Sequence, residues 1–528
     1  MVQKKRYSRE YIAIVAVFFL ILGITLLWCQ RKSDLFIDEI ATYGLSNSYY
    51  APFVQYIPED DSLINKVLTQ KEIKDYLTVS STDAFCYDSV YYNQTQDTQP
   101  PLYYMLLHTL CSVFQGSYSK WIGLSMNLIL QFGVLIVLYQ IGKMILKSKM
   151  YSIAAVLIYG LSYGGLSNVL MIRMYILLTF LTVCFAFVLI KLFQEEIRHT
   201  YYLAVCLLLF LGLFTQYFFV IFAFFLSVVY CLKELKNKNF KRVFKYALFA
   251  FTGIFIFYFS YPCVLDQLFA DRLVSANTAA ENMMDIAGML LSIYSFIMQI
   301  LVSYKPILLL VIIAFLTCLF SKGKMLRSYI SNFDIRDYSG IAMMVALICT
   351  VLIVAVVSPV TALRYVYNIL PLIAVIIMYF VKLFIGESRI TENTVIVFCF
   401  IICFVNGLHT IPEYVESVPE ENFEILKEYE KLPCIYMDDV YSAINQDMLE
   451  LIRFKEIYVT DDIISNQTLE YLQQQDTSKG LVLYVDVSSY WGSGYDANMI
   501  LEQLLENTSF EHFERLFNYS FSETYHVY

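Results

Sequence analysis

Two adjacent carboxylates follow the first apolar segment of the chain and could support acid–base chemistry. Asp38 and Glu39 end the motif Asp34-Leu-Phe-Ile-Asp38-Glu39, shortly beyond an apolar run at 11–28. Neighbouring residues on a helix point about 100° apart, so one carboxylate can face a substrate while the other holds structure. A carboxyl group near lipid can have a raised pKa, which suits a general base. A solvated loop pair is the alternative, and spacing alone does not decide between them.

A second motif combines an acid, an amide, two prolines and two tyrosines. It reads Asp97-Thr98-Gln99-Pro100-Pro101-Leu102-Tyr103-Tyr104. The prolines end the preceding loop, and the second suits the first turn of a helix. The tyrosines suit a membrane–water interface. A helix start with aromatic anchors explains every residue except Asp97.

Two arginines lie where predicted spans meet the external side. They belong to Arg173-Met174-Tyr175 and to Ser358-Pro359-Val-Thr-Ala-Leu-Arg364-Tyr365. External arginines run against the usual cytoplasmic bias of basic residues. Because guanidinium presents a planar fork of donors that matches phosphate, the pair indicates an anionic partner. Snorkelling to lipid headgroups is the alternative for either arginine alone. Lys305 adds a third candidate cation on the same side.

The composition excludes an ordinary soluble enzyme. Of 528 residues, 58% are hydrophobic and 16% are charged, whereas soluble domains carry about 25% charged residues. Apolar runs of about 20 residues recur, which is typical of a polytopic helical membrane protein. The tail from residue 411 carries 23 acidic and 6 basic residues. An acidic tail on a basic membrane part argues against nucleic acid as a partner.

The spans follow from hydropathy, and their orientation follows from charge. The basic loops 143–149, 191–198, 233–245 and 321–336 should face the cytoplasm, as should the N-terminus. Two loops on opposite sides of the membrane must be separated by an odd number of spans. This parity leaves no crossing for the stretches 101–115 and 286–301, which we therefore predict to be interfacial or re-entrant helices. We predict about eleven spans, at 11–28, 121–142, 150–168, 174–193, 201–214, 217–232, 246–262, 304–320, 340–357, 366–384 and 393–410.

The predicted fold is an all-α polytopic membrane protein with a small external C-terminal α/β domain. We expect a transmembrane domain at 1–410, with a large external loop at 29–100, and an acidic external domain at 411–528. In the tail, short β-rich runs alternate with helical stretches. No CxxC or zinc-type spacing occurs, so the sequence itself predicts no metal site.

In this order and on one face, the motifs resemble the polytopic lipid-linked-sugar glycosyltransferases of the GT-C class. The resemblance is to bacterial family-39-like proteins related to protein O-mannosyltransferases, and it covers about residues 10–385. The matching elements are Asp38-Glu39, Gln99-Pro100-Pro101-Leu102-Tyr103-Tyr104, Arg173-Met174-Tyr175, Thr215-Gln216-Tyr217, and Pro359 with Arg364, Tyr365 and Pro371.

The resemblance implies an enzyme of a bacterial plasma membrane that takes a sugar from a polyprenyl phosphate. Transfer would go, with inversion, to an unknown glycan, lipid or protein acceptor on the external face. Asp38 would be the general base, and Glu39 would belong to the same catalytic pair. Arg173, Arg364 and Lys305 would bind the donor phosphate. The remaining substrate-binding residues would be Asp97, Gln99, Tyr103, Tyr175, Gln216, Tyr217 and Tyr365.

Two departures from the family pattern concern cofactors. Gln99 and Gln216 stand where the family has histidines, and glutamine keeps hydrogen bonding but loses acid–base and metal-ligand capacity. A divalent metal is therefore doubtful, and no cofactor is predicted with certainty. Two other functions stay open: a non-enzymatic lipid or polymer transporter, and an inactive scaffold that acts through its acidic tail.

Overall fold

The structure is a computed structural model that divides into two compact units. It describes residues 2–50, 63–194, 198–269, 285–320, 338–386, 388–415, 420–438, 443–487, 494–519 and 521–528. We call residues 1–30, 98–103 and 124–415 the membrane unit, and residues 31–97, 104–123 and 416–528 the α/β unit. The predicted cytoplasmic loop 321–336 lies outside the described residues, as does most of the predicted external loop 263–285.

Within the described residues, eight helices are long and apolar enough to cross a membrane. These segments are Tyr11–Arg31, Lys120–Leu146, Tyr175–Phe193, Phe240–Ser260, Ile286–Ser303, Tyr338–Val357, Leu363–Ile385 and Ile390–His409. The first belongs to helix Val2–Arg31 and the last to helix Arg389–His409. Leu363–Ile385 comprises a 3₁₀ helix, Leu363–Ile369, and an α-helix, Leu370–Ile385. A ninth crossing arises if Lys149–Gly160 and Tyr163–Leu170, bent by 56°, form one broken span.

The difference from about eleven predicted spans has a physical basis in length and charge. Helices His199–Leu213 and Lys305–Phe320 have 15 and 16 residues, which at about 1.5 Å per residue fall short of a 30 Å hydrocarbon core. Helix Phe219–Lys236 ends with charged residues. A short helix, Val264–Phe269, follows Phe240–Ser260.

The two helices that were predicted to be interfacial differ from each other. Leu102–Val113 has 12 residues, so at roughly 18 Å it is too short to cross. Ile286–Ser303 has 18 residues and the hydropathy of a crossing helix. Its length and composition therefore permit a full span, whereas charge parity had predicted an interfacial position.

Neutral hydrogen bonds tie helices of the membrane unit together. The Trp28 indole donates to the carbonyl of Gly407 at 2.7 Å, which joins the first helix to the last. The Asn406 amide donates to the carbonyl of Leu161 at 3.0 Å, at the break of the bent pair. These bonds satisfy polar groups inside the bundle, where an unpaired polar group would be costly.

The α/β unit is built on a sheet that has six strands in the described residues. The strands are β1 Lys66–Thr69, β2 Cys434–Met437, β3 Glu456–Thr460, β4 Leu481–Asp486, β5 Phe513–Tyr519 and β6 Ser522–Val527. Their order in the sheet is β1-β3-β2-β4-β6-β5. Strands β2, β3 and β4 are parallel, while β1 and the β6–β5 pair are antiparallel to their neighbours. Every residue of β2 and β4 is buried, as expected for central parallel strands.

The first large loop belongs to this same unit. Strand β1 comes from the loop, and Lys66 pairs with Val459 of β3. The sequence had placed the loop with the transmembrane domain, whereas the chain packs residues 31–97 with the tail. Among the described residues, the helices that lie wholly in the α/β unit are Ile37–Asn47, Gln70–Leu77, Tyr87–Gln96, Glu420–Tyr429, Ala443–Gln446, Met448–Leu451, Asn466–Gln474 and Ala497–Asn507, and most of Leu102–Val113 belongs to it as well.

Candidate functional site

Within the α/β unit, the two adjacent carboxylates have different surroundings. Both lie in the first turn of helix Ile37–Asn47. Glu39 is completely buried, and its carboxylate accepts from Lys32 Nζ and from the Phe36 amide, both at 2.7 Å. Asp38 is half-buried. Glu39 therefore holds the helix start, which leaves Asp38 as the carboxylate of the pair that is suited to contact a substrate.

Asp97 lies at the end of another helix of the α/β unit. It follows helix Tyr87–Gln96, and its amide donates to the carbonyl of Gln94 at 3.1 Å. The side chain is buried, at 7% exposure. Gln99, in contrast, belongs to the membrane unit, is half-buried, and donates to Thr98 Oγ1 at 3.2 Å.

In the membrane unit, a buried asparagine joins the proline–tyrosine motif to the first arginine motif. Asn127 accepts from the Tyr103 hydroxyl at 2.9 Å. Its amide nitrogen donates to the carbonyls of Val169 and Met171 at 2.9 and 2.8 Å. The Arg173 amide donates to the same Met171 carbonyl at 2.8 Å. Asn127 therefore shapes the turn that presents Arg173.

The turn at 215–217 also meets the proline–tyrosine motif. The Leu102 amide donates to the carbonyl of Phe214 at 3.0 Å. Gln216 is buried, and its side-chain oxygen accepts from the Phe218 amide, so it stabilises the turn. The Tyr217 hydroxyl donates to Gln267, whose amide donates to the Tyr261 hydroxyl at 3.1 Å.

The two arginine motifs meet at a group of aromatic rings, which we call the tyrosine cluster: Tyr175, Phe218, Tyr365 and Tyr367. Edge-to-face contacts join Tyr175 to Tyr365 and Tyr367 at 6.4 and 6.2 Å between ring centroids. Phe218 contacts Tyr365 at 5.4 Å. The guanidinium carbon of Arg364 lies 5.7 Å from the Tyr365 ring centroid. Motifs that are far apart in sequence thus form one site within the membrane unit.

Glu413, which sequence reasoning missed, is a carboxylate at this cluster. The Tyr367 hydroxyl donates to its Oε2 at 2.9 Å, and its amide donates to Ser167 Oγ at 2.9 Å. Burial raises the pKa of Glu413, while the bond from Tyr367 and the charge of Arg364 lower it to a smaller extent. The residue follows the last span, where a single acid in a polar stretch gives no signal.

The third predicted cation is Lys305. Lys305 is exposed at the start of helix Lys305–Phe320, and it makes no hydrogen bond or ion pair within the described part of the chain. No three His, Cys, Asp or Glu side chains of the described residues are placed to hold a metal ion. With Gln216 engaged in its own turn, the donors present here do not fit a divalent metal.

The membrane unit presents groups that suit a ligand with an anionic part and an adjacent part that carries hydroxyl groups and can stack on aromatic rings. Arg364 supplies a delocalised cation beside aromatic faces, and such a fork matches phosphate oxygens. Tyrosine rings offer a stacking surface together with a polar hydroxyl. In the α/β unit, Asp38 supplies a carboxylate that can accept a proton.

Two solved structures share this architecture over nearly the full chain. ArnT from Cupriavidus metallidurans bound to undecaprenyl phosphate aligns at a TM-score of 0.55 and 9% identity, covering 97% of both chains. The apo state of the same protein aligns at 0.53 and 8% identity, covering 99% of this chain and 98% of that one. No family model and no curated protein matches the sequence. The chain therefore has the polytopic membrane fold of ArnT over nearly its whole length.

Proposed function

We propose that the chain is a membrane glycosyltransferase that moves a sugar from a polyprenyl phosphate to an acceptor on the external face. The GT-C fold supports this proposal, and one of the similar structures is bound to undecaprenyl phosphate. The observation that carries it is the meeting of the Arg173 and Arg364 motifs at the tyrosine cluster. The chain would be a multi-pass protein of a bacterial plasma membrane, with its N-terminus cytoplasmic and the α/β unit external.

On the donor side, Arg364 and Arg173 bind the phosphate, and Lys305 contributes long-range attraction from its exposed position. Negative charge grows on the phosphate as the bond to the sugar breaks, and a fixed cation stabilises that charge most in the transition state. Tyr365, which is half-buried, stacks against the sugar, and the buried Tyr175 supports it edge to face. Gln99, Tyr103, Gln216 and Tyr217 shape the remainder of the substrate pocket.

On the acceptor side, Asp38 accepts the proton of the attacking hydroxyl. Attack on the face opposite the phosphate inverts the anomeric carbon. Asp97 contributes to acceptor binding. Glu39 supports this chemistry by fixing the helix start through Lys32. The acceptor is a glycan, a lipid or a protein.

The proposal is tested with purified protein in liposomes that contain a radiolabelled polyprenyl-phosphate sugar, supplied with a cell-envelope fraction as acceptor. Asp38→Asn should lower transfer by about 10²–10⁴-fold, since general-base catalysis contributes that much. Asp75→Asn is the matched control, because Asp75 forms an exposed ion pair with Lys71 in the same unit. Undiminished transfer by Asp38→Asn would exclude Asp38 as the base.

One feature favours the transporter alternative. Lys149–Gly160 and Tyr163–Leu170 form a broken helix bent by 56°, and broken helices are common in transporters. In the same liposomes, a transporter would move the labelled lipid between leaflets without releasing polyprenyl phosphate. Release of polyprenyl phosphate that depends on Asp38 would exclude this alternative and would also exclude an inactive scaffold.

A further inference from the structure

The segment that leads into Asp38 has no regular structure of its own. Helix Val2–Arg31 ends before it, and helix Ile37–Asn47 begins after it. Residues 32–36 form neither helix nor strand. The first turn of a short helix moves with the segment that precedes it. The contacts made by residues 32–37 therefore decide how precisely the Asp38 carboxylate is positioned.

A single glutamine from the tail bonds the backbone of this segment on both sides of Phe36. The Ile37 amide donates to Gln446 Oε1 at 3.0 Å, and Gln446 Nε2 donates to the carbonyl of Leu35 at 3.1 Å. Gln446 is 2% exposed. A carboxamide offers one donor and one acceptor, as a peptide group does, so this pairing imitates one rung of a β-ladder.

A second tether acts two residues before Phe36. The Tyr519 hydroxyl, at the end of β5, donates to Asp34 Oδ2 at 2.8 Å. The other oxygen of Asp34 accepts from the Leu35 amide at 2.7 Å. Asp34 is itself 2% exposed, so water has little access to its carboxylate, while Tyr519 is half-buried.

The segment that carries Gln446 is anchored to the central strands. The next residue, Asp447, accepts from the hydroxyl of Tyr436 on β2 at 2.6 Å. Glu450 accepts from the hydroxyl of Tyr484 on β4 at 3.4 Å. The glutamine therefore projects from a short helix whose following turn is bonded to the middle of the sheet, which makes it a rigid support.

We propose that Gln446 and Tyr519 are positioning residues that hold the carboxylate of Asp38 in its catalytic orientation. This inference rests on the proposed function, and it gives the C-terminal segment of the α/β unit a role in catalysis. Neither residue touches the reacting atoms. A displacement of about 1 Å at a reacting group can lower a rate by about 10²-fold, so loss of the glutamine contacts should lower kcat without weakening donor binding.

The test compares Gln446→Leu with Gln70→Leu in the full-length protein. Gln70 also crosses from the first loop to the tail, donating to the Ile452 carbonyl at 2.7 Å, but it lies in a different helix from Asp38. Gln446→Leu should lower kcat roughly 10–100-fold with an unchanged donor KM, whereas Gln70→Leu should keep wild-type kcat. Tyr519→Phe should lower kcat to a smaller extent, and its matched control is Tyr495→Phe, which loses a bond to the carbonyl of Asp461.

Two further readouts separate positioning from general stability and from the proposed function. Hydrogen exchange of the peptide 32–40 should accelerate in Gln446→Leu and stay unchanged in Gln70→Leu. In an Asp38→Asn background, Gln446→Leu should lower the residual rate no further. Faster exchange with unchanged kcat, or an equal kcat loss in both backgrounds, would overturn the inference. An inactive wild type would overturn the proposed function, while the exchange result would still report on the tether.

Discussion

Replacing Lys32 by methionine should strongly destabilise the α/β unit. Lys32 Nζ lies 2.7 Å from Glu39 Oε2, and both side chains are completely buried. Methionine is one atom shorter than lysine, keeps an unbranched side chain and removes the charge. Glu39 would then retain the Phe36 amide as a neutral donor and lose its cationic partner in the interior.

The magnitude follows from the geometry of the pair. At 2.7 Å and an effective dielectric constant near 20, the gross attraction is about 6 kcal/mol. Desolvation of both charges offsets part of it, and breaking one side of a buried pair costs about 3–5 kcal/mol. The α/β unit contains about 200 residues, for which that loss corresponds to a fall in Tm of roughly 6–20 °C.

The assay is thermal unfolding of the full-length protein in lipid nanodiscs, with hydrogen exchange of residues 32–47 to locate the change. The double variant Lys32→Met/Glu39→Gln should recover most of the lost Tm, because neither side chain then carries a charge. It should lose less sugar transfer than Asp38→Asn, because Asp38 is intact. A Tm loss of Lys32→Met below about 1 °C would refute the buried pair. A stable double variant without transfer would show that Glu39 acts in the chemistry.

Three other outcomes test the membrane unit and the sheet. Arg364→Ala should raise the donor concentration needed for half-maximal transfer far more than Arg364→Lys does, and it should lower transfer by about 10²–10³-fold. Equal effects of the two substitutions in donor titrations would mean that phosphate is not the partner of Arg364. Asn127→Leu should lower the free energy of unfolding by about 1–3 kcal/mol, since it leaves buried groups without partners. Gln131→Leu in the same helix should not, because the amide nitrogen of Gln131 has no hydrogen-bond partner in the described residues; equal shifts in thermal unfolding would contradict the linking role of Asn127. Burial raises the pKa of Asp447 and of Glu450 well above their usual range, so the folded protein holds these protons to a higher pH than the unfolded chain, in which both acids ionise near pH 4. The stability that these protonated acids contribute is therefore lost as pH rises toward the raised pKa values. The Tm should fall between pH 5.5 and 8.5, and it should fall less steeply in the double variant Asp447→Asn/Glu450→Gln. Parallel pH profiles of the two proteins would contradict the assignment of the raised pKa values to these acids.

Sequence predicted the elements whose signals are local. The apolar stretch 174–193 became helix Tyr175–Phe193, and the β-rich runs of the tail became strands β2, β3 and β4. Hydropathy over about 20 residues and β-branched or aromatic enrichment over a few residues each suffice for such assignments. The general fold, a helical membrane protein with a small sheet, is confirmed.

Pairings between distant residues could not be predicted in the same way. Strand β1 has only 4 residues and pairs with β3 across nearly 400 positions. The local pattern of apolar residues therefore predicts neither the strand nor its partner. The ion pair of Lys32 with Glu39 is close in sequence, yet a spacing of seven residues across a loop does not by itself predict a contact. Burial, which decides the role of Glu39, is a property of the folded unit alone.

Asn127 is a different case, because the sequence does carry its signal. A polar side chain in the apolar helix Lys120–Leu146 is costly unless its hydrogen bonds are satisfied. Asn127 carries no formal charge, so its polarity is the feature that marks it in the sequence. Its neutrality is also consistent with its place. A charged group joining Tyr103 to the Arg173 turn would add to or cancel the field of the arginines, whereas an amide fixes the turn and leaves that field to act on the proposed anionic donor.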